Sequence, residues 1–442
     1  MTTGSRTAGD RYVPSSGNGG YRVHHYALDL RYRAATNRLD ATATISAISD
    51  HELSRFTLDL TRLQASRVMV NGRKAGTTQS NGKLAVVPST PIPAGAAFTV
   101  VIDYSGSPTP RRSAWGLVGW EELDDGVIVA SQPTGSPTWF PCNDHPADKA
   151  TYSIRVTTEQ AYTVLCNGVL TAHTVAAGRG TWQYDQAEPT STYLATVQIG
   201  RYSVEEVDLG DVPGLLAYPR RLQARVHADF AALPAMMSCF ETAFGPYPFA
   251  SYTAVVTADD LEIPLEAQSM AIFGANHIDG LGGEERLVAH ELAHQWFGNS
   301  VGVRSWQHIW LNEGFACYAE WLWSEANGGP SAESLARSHY SLLRALPQDI
   351  VLSDPGPADM FDDRIYKRGA LTLHSLRSVL GDATFFTLLR DWAALNRHSI
   401  VDTADFQAHA SRYTTAPLDT LFDAWLFSAA LPPFPTAVRA RR

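Results

Sequence analysis

The chain has 442 residues, of which 45% are hydrophobic and 18% charged. This composition excludes a disordered or fibrous chain, and the length suits two or three domains whose cores need no disulfide staples. Lys and Arg number 35 against 45 Asp and Glu, a net charge of -10, so nucleic-acid binding, which needs clustered cations, is not expected.

Residues 1–20 are rich in Gly, Ser and Thr and lack the apolar stretch of a signal peptide. They read as a flexible tail. From Tyr21 to about Ser203 the pattern is β. Tyr26, Leu28, Leu30 and Tyr32 alternate with other residues, as do Leu39, Ala41, Ala43 and Ile45, and Phe98, Val100, Ile102 and Tyr104. Asn71-Gly72, Asn81-Gly82 and Asn167-Gly168 separate such runs and predict hairpin turns. The expectation is an antiparallel, sandwich-like β-domain over residues 21–204.

After about Val204 the pattern turns helical. A helical stretch covers Arg221 to Phe244, and Tyr252 to Leu261 and Gln268 to Phe273 suit short strands. Gly282-Gly283 precede a helix whose first turn carries Glu284 and Glu285, favourable at the positive end of the helix dipole. A second helix runs from about Asn312 to Glu325 and stops near Gly328-Gly329-Pro330. Further helices are expected over Ala332–Ala345, Gly369–Leu380, Ala383–Leu395 and Leu418–Ala429. The class is therefore α+β, with a mainly helical domain over residues 205–442.

The four cysteines, Cys142, Cys166, Cys239 and Cys317, have no C-x-x-C spacing and read as reduced, buried thiols. No run approaches the ~18 apolar residues of a membrane span. A cytoplasmic protein with no membrane partner is expected.

His290-Glu291-Leu292-Ala293-His294 lies within a predicted helix. Residues i and i+4 share a helix face, so both imidazoles can reach one zinc ion. Glu291 is turned aside and can face a water on that ion. Nineteen residues after His294, Glu313 stands in Asn312-Glu313-Gly314-Phe315-Ala316 on the next helix. A carboxylate from a neighbouring helix completes a His, His, Glu set and leaves one position for water, the pattern of a catalytic zinc. Cys317 shares the face of Glu313 and reads as a buried thiol behind the ligand rather than a fourth donor.

These stretches, HELAHQWFGNSV (His290 to Val301) and WLNEGFACYAEW (Trp310 to Trp321), resemble the aminopeptidase N and leukotriene hydrolase family of gluzincin metallopeptidases. The 18 residues between His294 and Glu313 match the family spacing. The resemblance implies a saddle-like β-domain, a thermolysin-like catalytic domain, one zinc ion, and peptide substrates with a free N-terminus. It also implies roles for three further residues. Glu266, in Ile263-Pro264-Leu265-Glu266-Ala267, matches the Glu of the family's Gly-x-Met-Glu-Asn segment, which holds the substrate α-amine. Tyr366, in Tyr366-Lys367-Arg368-Gly369, resembles the Tyr-x-Lys-Gly tyrosine that donates to the oxyanion, with Arg368 where Lys is usual. Gln132, in Ser131-Gln132-Pro133-Thr134 ahead of Phe140-Pro141-Cys142-Asn143-Asp144, matches the Gln of the first specificity pocket. Thr134 departs from the second Glu or Gln that many members carry for the amine. Glu320 recurs in the family, either supporting a ligand or as a solvated carboxylate.

The resemblance thus implies a zinc aminopeptidase in which Glu291 is the general base. An endopeptidase, an epoxide hydrolase on the same site, and a non-catalytic scaffold are the rival readings. The resemblance ends near Trp425-Leu426, before the helical C-terminal domain of larger members, so an open cleft is expected.

Overall fold

The computed structural model describes residues 2–435. The chain forms two compact units. One comprises Met1–Glu206, Leu215–Gln223 and Phe249–Asn276, the other Val207–Gly214, Ala224–Pro248 and His277–Arg442.

The first unit is sheet-rich. An eight-stranded sheet runs in the order Val169–Ala176, Arg179–Thr190, Ala150–Glu159, Tyr21–Arg33, Arg38–Ser49, Ala97–Gly106, Gln64–Val70 and Arg73–Lys74. The alternation read from the sequence is the burial pattern: Tyr26, Leu28, Leu30 and Tyr32 point into the core, and their neighbours do not. The sheet is antiparallel except where Tyr21–Arg33 pairs with Ala150–Glu159 in parallel. More than a hundred residues separate these two strands, ample for the crossover that a parallel pair requires. A five-stranded sheet contributes Trp120, Val127, Val129, Val164, Val197 and Ile199 to the same core.

Asn71-Gly72 and Asn81-Gly82 close hairpins, with both residues of each pair left-handed. Asn167-Gly168 does not. The strands on either side of it pair with other partners. The Asn167 side chain is buried and donates to the carbonyls of Leu194 and Gln268, each at 2.8 Å. A local turn signal cannot reveal that such a side chain serves two distant backbone segments.

The expected flexible tail is also corrected. Within residues 2–20, Tyr12 and Val13 are buried. Asn18 donates through Nδ2 to Asp59 Oδ2 at 2.8 Å, and its amide donates to Asn143 Oδ1 at 2.6 Å. Lys83 Nζ donates to the Gly17 carbonyl at 2.6 Å. Composition suggested a solvated segment, but the buried Asp59, Lys83 and Asn143 find part of their hydrogen bonding in it. Residue 1 and residues 436–442 of the expected ranges lie outside the described residues.

The second unit is helical: α1 (Gln223–Asp229), α2 (Leu233–Phe244), α3 (Glu285–Ala293), α4 (Trp310–Ala326), α5 (Ala332–Leu343), α6 (Asp363–Leu380), α7 (Asp382–Leu395), α8 (Thr403–Ala410) and α9 (Asp419–Phe422). The helix expected over Arg221–Phe244 is broken between α1 and α2, where Pro234 opens the second helix. The helix expected from Gly369 begins six residues earlier. Asp362 caps it by accepting the Arg364 amide at 2.9 Å, so Tyr366 lies in its first turn.

Candidate metal centre and amine pair

The loop before α3 is tied down by Asp229, whose carboxylate accepts the amides of Gly280 and Gly282, each at 2.9 Å. The same end of α3 is fixed to the last turn of α4 by Glu285, which accepts from Trp323 Nε1 at 2.6 Å and from Asn327 at 3.0 Å. Beyond these anchors α3 presents His290 and, at its C-cap, His294 to α4.

His290, His294 and Glu313 are all buried, and one donor atom from each lies within 4.8 Å of the others. Glu313 Oε2 is 3.5 Å from His290 Nε2 and 3.3 Å from His294 Nε2. Ligands about 2.0–2.1 Å from a tetrahedral zinc ion stand about 3.4 Å apart, so the observed spacing suits one ion between them. The opposite ring nitrogens are already engaged. His290 Nδ1 meets Glu320 Oε1 at 2.8 Å, and His294 Nδ1 meets the Phe297 carbonyl at 3.0 Å. Each Nε2 is thereby left to face the centre.

Gly298 makes the second of these contacts possible. Its φ is +116°, and a Cβ there would come within 3.2 Å of His294 Nδ1. Only glycine combines that backbone conformation with that proximity.

The electrostatics favour a cation. Burial opposes charge on His290, yet hydrogen bonds to Glu313 and Glu320 and the nearby Glu291 carboxylate raise its pKa to about 10. Burial pushes the Glu313 carboxyl up, but the adjacent histidines outweigh it and hold the group below the usual carboxylate range. Without a metal, a proton on the His290 imidazole supplies positive charge beside these carboxylates. The donor set, its spacing and its charge therefore fit zinc.

Two other expected residues lie beside the centre. Glu291 is buried on α3, and a carboxylate oxygen lies within 4.8 Å of a His294 ring nitrogen. The Tyr366 ring stacks on His290 with centroids 6.0 Å apart. Cys317 does not join the donors. It is buried, and its Sγ receives a hydrogen bond from Lys367 Nζ at 3.4 Å. The alternatives left open for Glu320 are resolved: it is 8% exposed and grips His290, with Arg286 3.7 Å away on its other oxygen. Its heptad spacing from Glu313 places it two turns along the same face of α4, the one sequence signal for this contact.

The first unit holds the remaining two. Glu266 is on the strand Leu265–Ala267, which the sequence reading missed and which pairs with Met270–Phe273. Gln132 Nε2 donates to Glu266 Oε1 at 2.6 Å, so the two half-buried side chains form one polar pair. Thr134 adds nothing to it: its hydroxyl is buried without a hydrogen-bond partner among the described residues.

The chain is similar to known proteins along most of its length. The Peptidase family M1 domain matches residues 231–425, and the Peptidase M1 N-terminal domain matches residues 22–194. Endoplasmic reticulum aminopeptidase 1 of Homo sapiens is 27% identical over 439 residues, covering 89% of this chain and 46% of the relative. Leucyl aminopeptidase of Saccharolobus solfataricus is 23% identical over 451 residues, covering 95% and 55%. The chain thus spans about half the length of these curated relatives. An M1 zinc metallopeptidase from Deinococcus radiodurans is 30% identical, with a TM-score of 0.90 over 98% of this chain and 100% of that one. A mutant of that protein has been solved with a Tyr-Ser-Ala substrate. Yeast LTA4 hydrolase shares the fold, with a TM-score of 0.81 at 21% identity over 95% of this chain and 70% of that one.

Proposed function

The chain belongs to the peptidase M1 family, and on that premise we propose that it is a zinc-dependent aminopeptidase that removes single residues from the free N-terminus of peptides. His290, His294 and Glu313 hold the zinc ion. When bound, such an ion lowers the pKa of a water toward about 7 and polarises a carbonyl. Glu291 accepts the proton of the attacking water at its carboxylate and returns it to the leaving amine. The Tyr366 hydroxyl donates to the oxygen on which negative charge develops. Glu266, held by Gln132, takes the substrate's α-ammonium in a charge-assisted hydrogen bond and so sets the cleavage register.

The observation that carries this reading is the meeting of two Nε2 atoms with one Glu313 oxygen while both Nδ1 atoms are held from behind. The peptide substrate of the Deinococcus radiodurans relative supports the substrate class. We assign the protein to the cytosol, supported by its four unpaired cysteines. No helix among the described residues is long and apolar enough to cross a membrane.

A panel of aminoacyl fluorogenic amides, free and N-acetylated, with and without a chelator, tests the proposal. Cleavage of the free amides alone, lost on chelation, is expected. Equal cleavage of the acetylated set would make the enzyme an endopeptidase.

A further inference from the structure

Helices α4 and α6 touch backbone to backbone at one point, Gly314 against Gly369. A Cβ added at Gly314 would lie 2.8 Å from the Gly369 Cα, and one added at Gly369 would lie 2.7 Å from the Gly314 Cα. Neither glycine has a positive φ. Space, not backbone conformation, therefore demands glycine here. The obstructing atoms belong to two helix backbones and cannot rotate away as a side chain could.

The contact lies between groups of the metal centre. Gly314 follows Glu313 directly, and Gly369 is three residues, nearly one turn, after Tyr366. Arg368 holds the other flank of α6. Its guanidinium is buried and donates to the carbonyls of Trp425 at 2.9 Å, Ala429 at 2.7 Å and Ala424 at 3.1 Å, and also to Ile350, Ser428 and Ala430. The first turns of α6 are thus pressed against α4 on one side and fastened to the 424–430 segment on the other.

We propose that Gly314 and Gly369, backed by Arg368, are positioning residues for Tyr366. Their contact sets the separation of α4 and α6, and that separation keeps the Tyr366 ring stacked on His290 at 6.0 Å. The proposal rests on the oxyanion role given to Tyr366 above. A methyl group in the contact would have to be relieved by a helix shift of about 1 Å, and a misplacement of that size can cost about 10²-fold in rate. Because Tyr366 acts on developing charge, the loss belongs in kcat rather than KM.

The test is a double-mutant cycle of Gly369→Ala with Tyr366→Phe, reading kcat, KM, zinc content and thermal midpoint. G369A is expected to lower kcat about 10- to 100-fold, with zinc retained at one per chain and KM little changed. In the Y366F background the same substitution should change kcat by less than about twofold. Wild-type kcat in G369A beside an impaired Y366F overturns the positioning role alone. An equal fold-loss with and without the Tyr366 hydroxyl overturns it too. Wild-type kcat in Y366F overturns the oxyanion role and this proposal with it. Should G369A fail to fold, Arg368→Lys carries the same comparison, since it keeps the charge and stem but offers three donors to six carbonyls. R368K is expected to lower kcat by about threefold or more only when Tyr366 is intact; unchanged kcat overturns the proposal.

Discussion

Glu320 Oε1 stands 2.8 Å from His290 Nδ1, so the first residue of the metal-binding set is oriented by the helix that also carries Glu313. In the proposed site, one helix therefore supplies both a zinc ligand and the support for another. Such a partner fixes the tautomer and ring angle of the histidine and raises its basicity. Glu320→Ala is expected to weaken zinc binding by about 10- to 100-fold, read by competition with a chelator. Glu320→Gln keeps an acceptor and should weaken it less. Wild-type zinc affinity in the alanine variant would remove Glu320 from this role.

Glu291 is buried beside the ligands but does not belong to the His290, His294, Glu313 set. Glu291→Gln preserves its shape and removes its basicity. The variant should bind zinc and melt like the parent while kcat falls by about 10²- to 10⁴-fold or more. Activity near the parent level would assign the base elsewhere.

Gln132 and Glu266 form the pair given to the substrate's amine. A hydrogen bond to a charged group contributes about 1.5–3 kcal/mol, so Glu266→Gln should reduce kcat/KM on free aminoacyl amides by about 10- to 150-fold. Any slow cleavage of N-acetylated substrates should stay as it was, because they carry no ammonium. Parallel losses on both substrate sets would argue against amine recognition by Glu266.

Asp144 is buried, and its Oδ2 has no hydrogen-bond partner among the described residues. Burial, and then the Asp59 charge nearby, raise its pKa to about 7. An acid whose folded-state pKa is raised binds its proton more tightly folded than unfolded. Its contribution is full below about pH 4 and is lost as pH rises through about 7. Asp144→Asn cannot ionise and keeps an acceptor for Thr192, which donates to Oδ1 at 2.8 Å. Denaturant titrations at pH 4.5 and 8 should show the parent losing more stability over that interval, by about 2–4 kcal/mol. The same pH slope in both proteins would show that Asp144 is not the group responsible.

The local parts of this protein are legible in its sequence because their geometry repeats at short range. The spacing of His290 and His294 puts two imidazoles on one helix face wherever that helix lies. Alternation along Tyr26, Leu28, Leu30 and Tyr32 marks a strand with one buried side, and Asn-Gly at positions 71–72 and 81–82 marks two left-handed turn residues. Glu313 is marked by its place on the helix that follows the two histidines, whereas Glu266, Tyr366 and Gln132 became candidates only through resemblance, since nothing local distinguishes them from ordinary side chains.

Contacts between distant segments were decided by the tertiary structure. The 2–20 segment looks solvated by composition, but Asp59, Lys83 and Asn143 bond to it across the fold. Asn167-Gly168 looks like a hairpin until its side chain is seen serving Leu194 and Gln268. Glu320 could be a surface carboxylate until α3 brings His290 against it, and Gly314 and Gly369 are unremarkable until two helices meet there. A periodicity constrains one element, whereas burial and hydrogen-bond satisfaction depend on which elements meet. The chemistry of the donors is therefore written in the sequence, and their support, spacing and orientation come from packing.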